Sequence, residues 1–490
     1  MRSANAGHAN DQILGVSDMN FITRRKAVTA PVRQPGEHQL KATLSWPHLV
    51  ALGVGAIIGT GIYTLTGVGA GLAGPGVILS FAIAGAVCAL AALCYAEMAT
   101  LMPHAGSAYT YAYAGMGELI GWIIGWSLIL EYTVVCSAVA VGWSGYAQGF
   151  LASHGWGLPA ILAAGPGGDV SGLVNLPAVL ITLAVTGLLL VGTRESATVN
   201  FYLVIFKVVA LIAFVALTLP GFDASHFHPF MPFGFGGHED PDGTKRGVMA
   251  AAALIFFAFY GFDAISTAAE EAKNPGRDLT IGIIGSMVLC AVIYMIVAAA
   301  ALGASPFDVF SKSSEPLAFI LRDRHHPLAA ALIAGAAVVA LPTVIMAFMF
   351  GQSRVFFAMS RDGLLPRGLS RVSPRGVPVV VTVFTGLFAA IMAGILPLKL
   401  IAEVANAGTL AAFIATAVAM LVLRRTHPDL PRPFRTPLGW LVGPLAVLGC
   451  VYLFWSLPTL TKMLFFAWNG VGLVVYLVYG RTRSRLANPA

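Results

Sequence analysis

Charged residues are scarce in this sequence of 490 residues. Asp, Glu, Lys and Arg together make up 10% of it, whereas hydrophobic residues make up 57%. Soluble domains carry roughly 25% charged residues, so the composition excludes an ordinary soluble protein. We therefore predict an all-α polytopic membrane protein, because a helix satisfies its own backbone hydrogen bonds inside a lipid bilayer.

Several motifs of nucleotide and hydrolase chemistry are also missing. The sequence contains no G-x-x-x-x-G-K-[ST], no H-E-x-x-H and no G-x-S-x-G, which argues against ATP-driven transport and against hydrolysis. The five cysteines lie in apolar runs without C-x-x-C spacing, so we interpret them as small buried side chains. We expect no metal site and no cofactor other than a coupling ion.

Apolar runs of membrane-spanning length, about 20 residues, recur twelve times along the chain. They are residues 47–68, 75–101, 117–150, 174–193, 197–220, 248–270, 280–303, 327–358, 377–395, 400–423, 438–457 and 463–480. Residues 1–44 are polar and mixed in charge, without the apolar core of a cleavable signal peptide. We predict that they form a cytoplasmic tail.

The positions of the basic residues predict the orientation. Most of the 29 Lys and Arg residues fall on the cytoplasmic side if the N-terminus is inside and twelve helices follow. This bias predicts a multi-pass protein of the cell inner (plasma) membrane with both termini cytoplasmic. It also explains the net charge of +7 without a nucleic-acid partner.

Two of the predicted helices contain sequences that disfavour a continuous helix. The first is punctuated by Gly53, Gly55, Gly59 and Gly61, and the sixth has Gly261 at the centre of an aromatic cluster. Interrupted helices expose backbone N–H and C=O groups, which many secondary transporters use to bind substrate. The bland alternative is that these glycines only allow close helix packing.

The two interrupted helices stand five helices apart, and because five is odd, a second five-helix unit would insert upside down relative to the first. We therefore predict inverted repeats at residues 45–220 and 247–423, followed by helices eleven and twelve at residues 437–480.

Four motifs resemble a known family. Gly55-Ala-Ile-Ile-Gly-Thr-Gly-Ile-Tyr63 resembles the first-helix signature of the amino acid–polyamine–organocation (APC) superfamily. Residues 259–275, residues 351–366 and Pro433-Phe-Arg-Thr-Pro437 are similar to the cationic amino acid transporter (CAT) branch. The resemblance implies a LeuT-type fold of 12 transmembrane helices, with a 5+5 inverted repeat plus two extra helices. It also implies amino acid transport, and bacterial members of this branch often prefer neutral or mixed amino acids.

Helix ends attract the two charged groups of an amino acid, and matching positions in the superfamily bind them. We expect the carboxylate to meet the N–H groups of Gly59, Thr60 and Gly61 and the hydroxyl of Thr60. The carbonyls expected to hold the ammonium are those of Ile57, Phe257, Ala258 and Tyr260.

The aromatic side chains of the sixth helix are expected to shape the pocket for the substrate side chain. They are Phe257, Phe259, Tyr260 and Phe262. Most aromatics in apolar helices only pack, so we expect one or two of the four to touch substrate, with Phe257 as the gate.

Lys207 lies at the middle of the fifth apolar run. A lysine there costs about 2.5–3.5 kcal/mol on insertion scales, so it must pair or give up its proton. In proton-coupled relatives a lysine here contacts the first helix where sodium-coupled ones bind sodium. We predict that its protonation biases the outward–inward equilibrium; the alternative is a static ion pair.

Glu131 and Asp263 are two further carboxyl groups placed deep in apolar runs. Either could face the substrate, or bond to the freed backbone of the broken helices. Asp263 is predicted to be a gate or a partner for the substrate side chain. Glu131 matches a glutamate of the CAT branch and is predicted to be a gate or an anchor of the third helix.

The prediction for function is an importer of amino acids that works by proton symport and alternating access, with the lipid bilayer as its environment. An exchanger of the same fold is the nearest alternative. An integral membrane enzyme would need a polar His/Asp/Arg cluster at a membrane face, and a sensor would need a signalling domain. We find neither pattern in the sequence. The residues leave open whether the substrate side chain is cationic or neutral, whether the protein is oligomeric and whether a small accessory subunit binds.

Overall fold

The computed structural model describes residues 24–28, 44–104, 106–167, 172–191, 197–240, 244–370 and 378–487. Most of the predicted cytoplasmic tail, residues 1–23 and 29–43, lies outside the described residues.

The first half of the chain forms nine α-helices. They are α1 Trp46–Ile57, α2 Thr60–Tyr63, α3 Leu65–Ala73, α4 Val77–Leu101, α5 Ser107–Met116, α6 Glu118–Ser153, α7 Ala160–Ala163, α8 Leu176–Val191 and α9 Ala197–Thr218. A loop with an antiparallel pair of two-residue strands, β1 His238–Glu239 and β2 Lys245–Arg246, follows this half.

The second half forms eleven α-helices. They are α10 Val248–Ile255, α11 Phe262–Thr267, α12 Pro275–Ala304, α13 Phe307–Phe310, α14 Pro316–Asp323, α15 Pro327–Arg361, α16 Val379–Ile395, α17 Leu398–Thr426, α18 Gly439–Ser456, α19 Thr459–Val475 and α20 Arg481–Arg483. Short 3₁₀ turns occur at Gly74–Gly76, Leu219–Gly221, Ala224–Phe227, Phe256–Ala258, Ala269–Glu271 and Arg367–Ser370, and a π-helical turn occurs at Tyr476–Gly480.

Within the described part of the chain, nine helical stretches are long and apolar enough to cross a membrane. Three shorter apolar helices, Trp46–Ile57, Leu176–Leu190 and Val379–Ile395, accompany them. Each of the twelve predicted runs therefore contains an apolar helix, and the helical multi-pass architecture is confirmed. The count of twelve spans and the inverted repeat remain predictions.

The core is built around the broken sixth helix and the long helix α6. In the most apolar window of Val248–Thr267 every residue is buried, and 78% are buried in that of Glu118–Ala152. The same measure is 22% for Thr459–Arg483, so most of this stretch is not buried inside the bundle. The 36 residues of α6 extend about 54 Å, so α6 runs beyond a hydrocarbon core about 30 Å thick.

Four polar contacts join segments that are far apart in the sequence. The N–H of Leu44 donates to the carbonyl of Glu271 at 3.0 Å, and the N–H of Lys273 donates to the carbonyl of Leu44 at 2.8 Å. Leu44 thereby joins the start of α1 to the residues that follow α11. The other two contacts are the ion pair between Lys26 and Asp362, at 2.8 Å, and the buried ion pair between Glu97 and Arg424.

Candidate functional site

Both predicted interruptions are present. After α1, Ile58 is extended (φ −72°, ψ 91°) and Gly59 has φ −141° and ψ −148°, before α2 starts at Thr60. After α10, a 3₁₀ turn leads to Gly261 with φ +122°, and α11 starts at the next residue. A glycine fits at that φ because other residues rarely adopt it.

The two interruptions lie against each other because glycine leaves room for backbone contact. A Cβ atom on Gly61 would lie 2.4 Å from the Cα of Ala258, and one on Gly261 would lie 2.9 Å from the backbone carbonyl carbon of Ala56. These glycines therefore do allow close helix packing, as the alternative interpretation of the sequence proposed. The packing they allow also brings the two sets of free backbone groups together.

A small cavity lies between the interruptions and the helices α6 and α15. Its volume is about 10 Å³, room for about one water molecule. It is lined by Ala56, Ile57, Gly59, Thr60, Gly61, Val135, Val139, Phe257, Tyr260, Val344 and Phe348. An amino acid is several times larger, so the structure shows a closed conformation of this site.

Six of the eleven predicted site residues line this cavity: Ile57, Gly59, Thr60, Gly61, Phe257 and Tyr260. Five do not: Ala258, Phe259, Glu131, Asp263 and Lys207. Sequence reasoning missed the apolar lining from α6 and α15. The signal available was the spacing of four residues in the pairs Val135/Val139 and Val344/Phe348, which places each pair on one helix face.

The aromatic side chains of the interrupted helix divide into two groups. Phe257 and Tyr260 form an edge-on pair at the cavity, with ring centroids 5.0 Å apart. Phe259 instead packs on Tyr294, with centroids 5.3 Å apart, and Phe262 packs on Tyr95. Two of the four therefore face the cavity, while contact with substrate and the role of Phe257 as the gate remain predictions.

Lys207 is fully buried and binds the first interruption. Its Nζ donates to the carbonyls of Gly55 at 3.0 Å and Ile58 at 3.3 Å, and to Oγ1 of Thr343 at 3.1 Å. These acceptors suit an ammonium, which has only N–H donors. The predicted contact between Lys207 and the backbone of the first helix is present, and Thr343 is an additional partner on α15.

The carbonyl of Ile57 has a protein partner that the sequence did not indicate. The hydroxyl of Tyr294 on α12 donates to it at 2.6 Å. A carbonyl oxygen has two lone pairs, so Ile57 can still accept from a substrate ammonium. Tyr294 orients the carbonyl where α1 ends.

Asp263 and Asn406 bind the second interruption. Asp263 Oδ1 accepts from the N–H of Gly261 at 2.9 Å, and its Oδ2 accepts from the hydroxyl of Tyr132 at 2.8 Å. Asn406 Nδ2 donates to the carbonyl of Ala253 at 2.7 Å. Of the two alternatives for Asp263, the geometry supports bonding to the freed backbone and does not support contact with substrate.

Glu131 is also fully buried and lies outside the cavity lining. Gly408 on α17 packs against it, since a Cβ atom there would lie 3.1 Å from the Cβ of Glu131. This packing agrees with the predicted anchor role. Among the described residues, no charged side chain lines the cavity, so its chemistry comes from backbone ends, hydroxyl groups and apolar side chains.

The profile of the family described as amino acid permease matches residues 44–479. The chain belongs to the amino acid permease family. Within the APC superfamily it is of the bacterial type predicted from its motifs.

Three relatives of this permease show the range of the family. A branched-chain amino acid permease of Bacillus subtilis is 46% identical, over 92% of this chain and 96% of its own length. A methylthioribose transporter of the same organism is 39% identical, over 96% and 100%. The vacuolar cationic amino acid transporter 2 of Arabidopsis thaliana is 41% identical, over 83% and 64%.

Proposed function

We propose that this permease imports amino acids across the inner membrane by proton symport with alternating access. The fold proposed with it is the LeuT type, with twelve spans, a 5+5 inverted repeat and both termini cytoplasmic. The observation that supports coupling most strongly is Lys207, whose ammonium binds the carbonyls of Gly55 and Ile58 beside the predicted carboxylate site at Gly59–Gly61.

The cycle needs no covalent chemistry. The cavity is closed around a volume of about 10 Å³, so substrate entry requires Phe257 and the interrupted helices to move apart. Substrate and proton then enter from outside, the interruptions close over them, and the bundle opens inward. The proton gradient does work only if protonation of Lys207 changes the equilibrium between the two orientations.

The lining supports a neutral amino acid with an apolar side chain as substrate. Val135, Val139, Val344 and Phe348 form the wall opposite the interruptions. A guanidinium or ammonium placed against this wall would be buried without a counter-charge, which is costly. The branched-chain permease of Bacillus subtilis, similar over nearly the whole chain, agrees with this choice.

The test is uptake of labelled L-leucine and L-arginine by proteoliposomes in sodium-free buffer, with and without an inward proton gradient. We expect the gradient to drive leucine accumulation, and arginine to compete weakly. Lys207→Ala should abolish gradient-driven accumulation, whereas Lys462→Ala should not, because Lys462 lies half-buried on α19, outside the cavity lining, and donates to the carbonyl of Trp455.

The exchanger is the second candidate, and the same vesicles distinguish it. Rapid counterflow of leucine with no accumulation under the gradient would select exchange and overturn symport. Unchanged accumulation by Lys207→Ala would remove this lysine from the coupling.

A further inference from the structure

A second polar cluster lies one helical turn from the cavity, around Glu131. Residues 131, 135 and 139 are spaced four apart on α6, so they share one face. Val135 and Val139 line the cavity, and Glu131 continues their row into the contact with α17. Its side chain has no exposed surface.

Both oxygens of the Glu131 carboxyl group lack a hydrogen-bond partner of ordinary geometry among the described residues, and the hydroxyl of Thr409 beside it donates to the carbonyl of Ala405 at 3.2 Å. The hydroxyl of Tyr260, which lines the cavity, is unpaired in the same part of the chain. Both side chains approach Thr409 on α17. Tyr260 therefore stands between the substrate cavity and the Glu131 cluster.

Asp263 differs from Glu131 in its hydrogen bonds. Its two oxygens accept from the N–H of Gly261 and the hydroxyl of Tyr132, and these donors stabilise an ionised carboxylate. An ionised Glu131 would lie buried near that negative charge, with a hydroxyl that already donates to a backbone carbonyl as its neighbour, which is unfavourable. A neutral carboxylic acid avoids most of this cost.

We propose that Glu131 is a second proton-binding site, which holds a proton in the closed conformation and releases it when the cluster opens to water. On the open side its carboxylate is solvated and ionised, and on closure it takes up one proton from that aqueous phase. The titratable groups that face it are Asp263 and Tyr260 from the interrupted helix, Tyr132 from α6 and Tyr95 from α4. This inference rests on the proposed function and adds a proton site next to the substrate.

The proton makes closure depend on pH in a defined direction. Because the closed state binds one more proton at Glu131 than the open state, acidic conditions favour closure and alkaline conditions favour opening. Tyr260 links this step to the substrate, since a substrate that displaces its ring also changes the surroundings of Glu131.

The direct test is infrared spectroscopy of the full-length protein in lipid at neutral pH, with and without L-leucine. A protonated carboxylic acid has a C=O stretching band that a carboxylate lacks. We expect such a band in the wild type and its loss in Glu131→Gln. The matched control is Glu403→Gln, because Glu403 is a buried glutamate of α17 whose carboxylate accepts from Thr461 instead. An acid band that survives unchanged in Glu131→Gln would overturn the proposal.

Transport gives a second readout, taken as a ratio within each variant. Gradient-driven leucine accumulation by Glu131→Gln, divided by its own counterflow, should fall about tenfold or more, within the range of coupled sites. Glu403→Gln should keep the wild-type ratio. An unchanged ratio in Glu131→Gln would show that Glu131 is an anchor only.

Two outcomes distinguish failure of the proton site at Glu131 from failure of the proposed symport. If the wild type shows no accumulation under a gradient, the proposed symport fails while the infrared band still decides the charge of Glu131. If Glu131→Gln fails to fold but Glu131→Asp folds and lacks an acid band, the site requires a charge and the proposal is overturned.

Discussion

The two interrupted helices are held by groups of opposite charge. At the first, Lys207 and Tyr294 donate to the carbonyls of Gly55, Ile58 and Ile57. At the second, Asp263 accepts from the N–H of Gly261. Acceptors around an ammonium and donors around a carboxylate each stabilise the charged form of the group. In this conformation a cation therefore binds the free carbonyls of the first interruption, and a carboxyl group binds a free N–H of the second.

Gly261→Ala should have the largest effect on stability, because it disrupts the backbone contact between the two interruptions. The added Cβ would lie 2.9 Å from the backbone of Ala56 at a φ of +122°. Strain and overpacking together predict a loss of about 3 kcal/mol or more, together with loss of leucine binding. Thermal unfolding in detergent and leucine binding are the measurements.

The control for that variant is Gly335→Ala on α15, where a Cβ would meet no atom within 4 Å. An unfolding midpoint for Gly261→Ala equal to that of Gly335→Ala would show that the two interruptions do not depend on this approach.

Asp263→Ala should have an intermediate effect, because it leaves the N–H of Gly261 and the hydroxyl of Tyr132 without their acceptor. The expected loss is about 2 kcal/mol, measured as a lower unfolding midpoint that does not depend on pH near neutrality. Asp263→Asn should recover part of the loss, because an amide oxygen still accepts. Equal stability of Asp263→Asn and the wild type would contradict the charge assigned to Asp263.

Tyr294→Phe should have the smallest effect, about 1 kcal/mol. It removes one donor from the carbonyl of Ile57 and keeps the ring against Phe259. Tyr63→Phe is the matched control, since the hydroxyl of Tyr63 is buried without a partner among the described residues. If both variants lose the same stability, the bond between Tyr294 and Ile57 contributes nothing specific.

The interruptions were predictable because glycine and aromatic clusters are local signals. The contact of Lys207 with the first helix was predictable too, because a central lysine must find acceptors. The bond between Tyr294 and Ile57 was not, since it joins residues 237 positions apart. The sequence also did not reveal that Phe257 lines the cavity whereas Phe259 packs on Tyr294. Helices in a membrane are apolar on both the lipid side and the core side, so hydrophobic periodicity does not reveal which face points inward.

The backbone hydrogen bonds of Leu44 have a consequence for movement of the helices. Leu44 is hydrogen-bonded to both Glu271 and Lys273. The segment that leads into α1 is therefore coupled to the segment that follows α11. Because two backbone hydrogen bonds join the segments, a displacement of either one acts on the other. We therefore expect the start of α1 and the segment between α11 and α12 to move together if either of them moves.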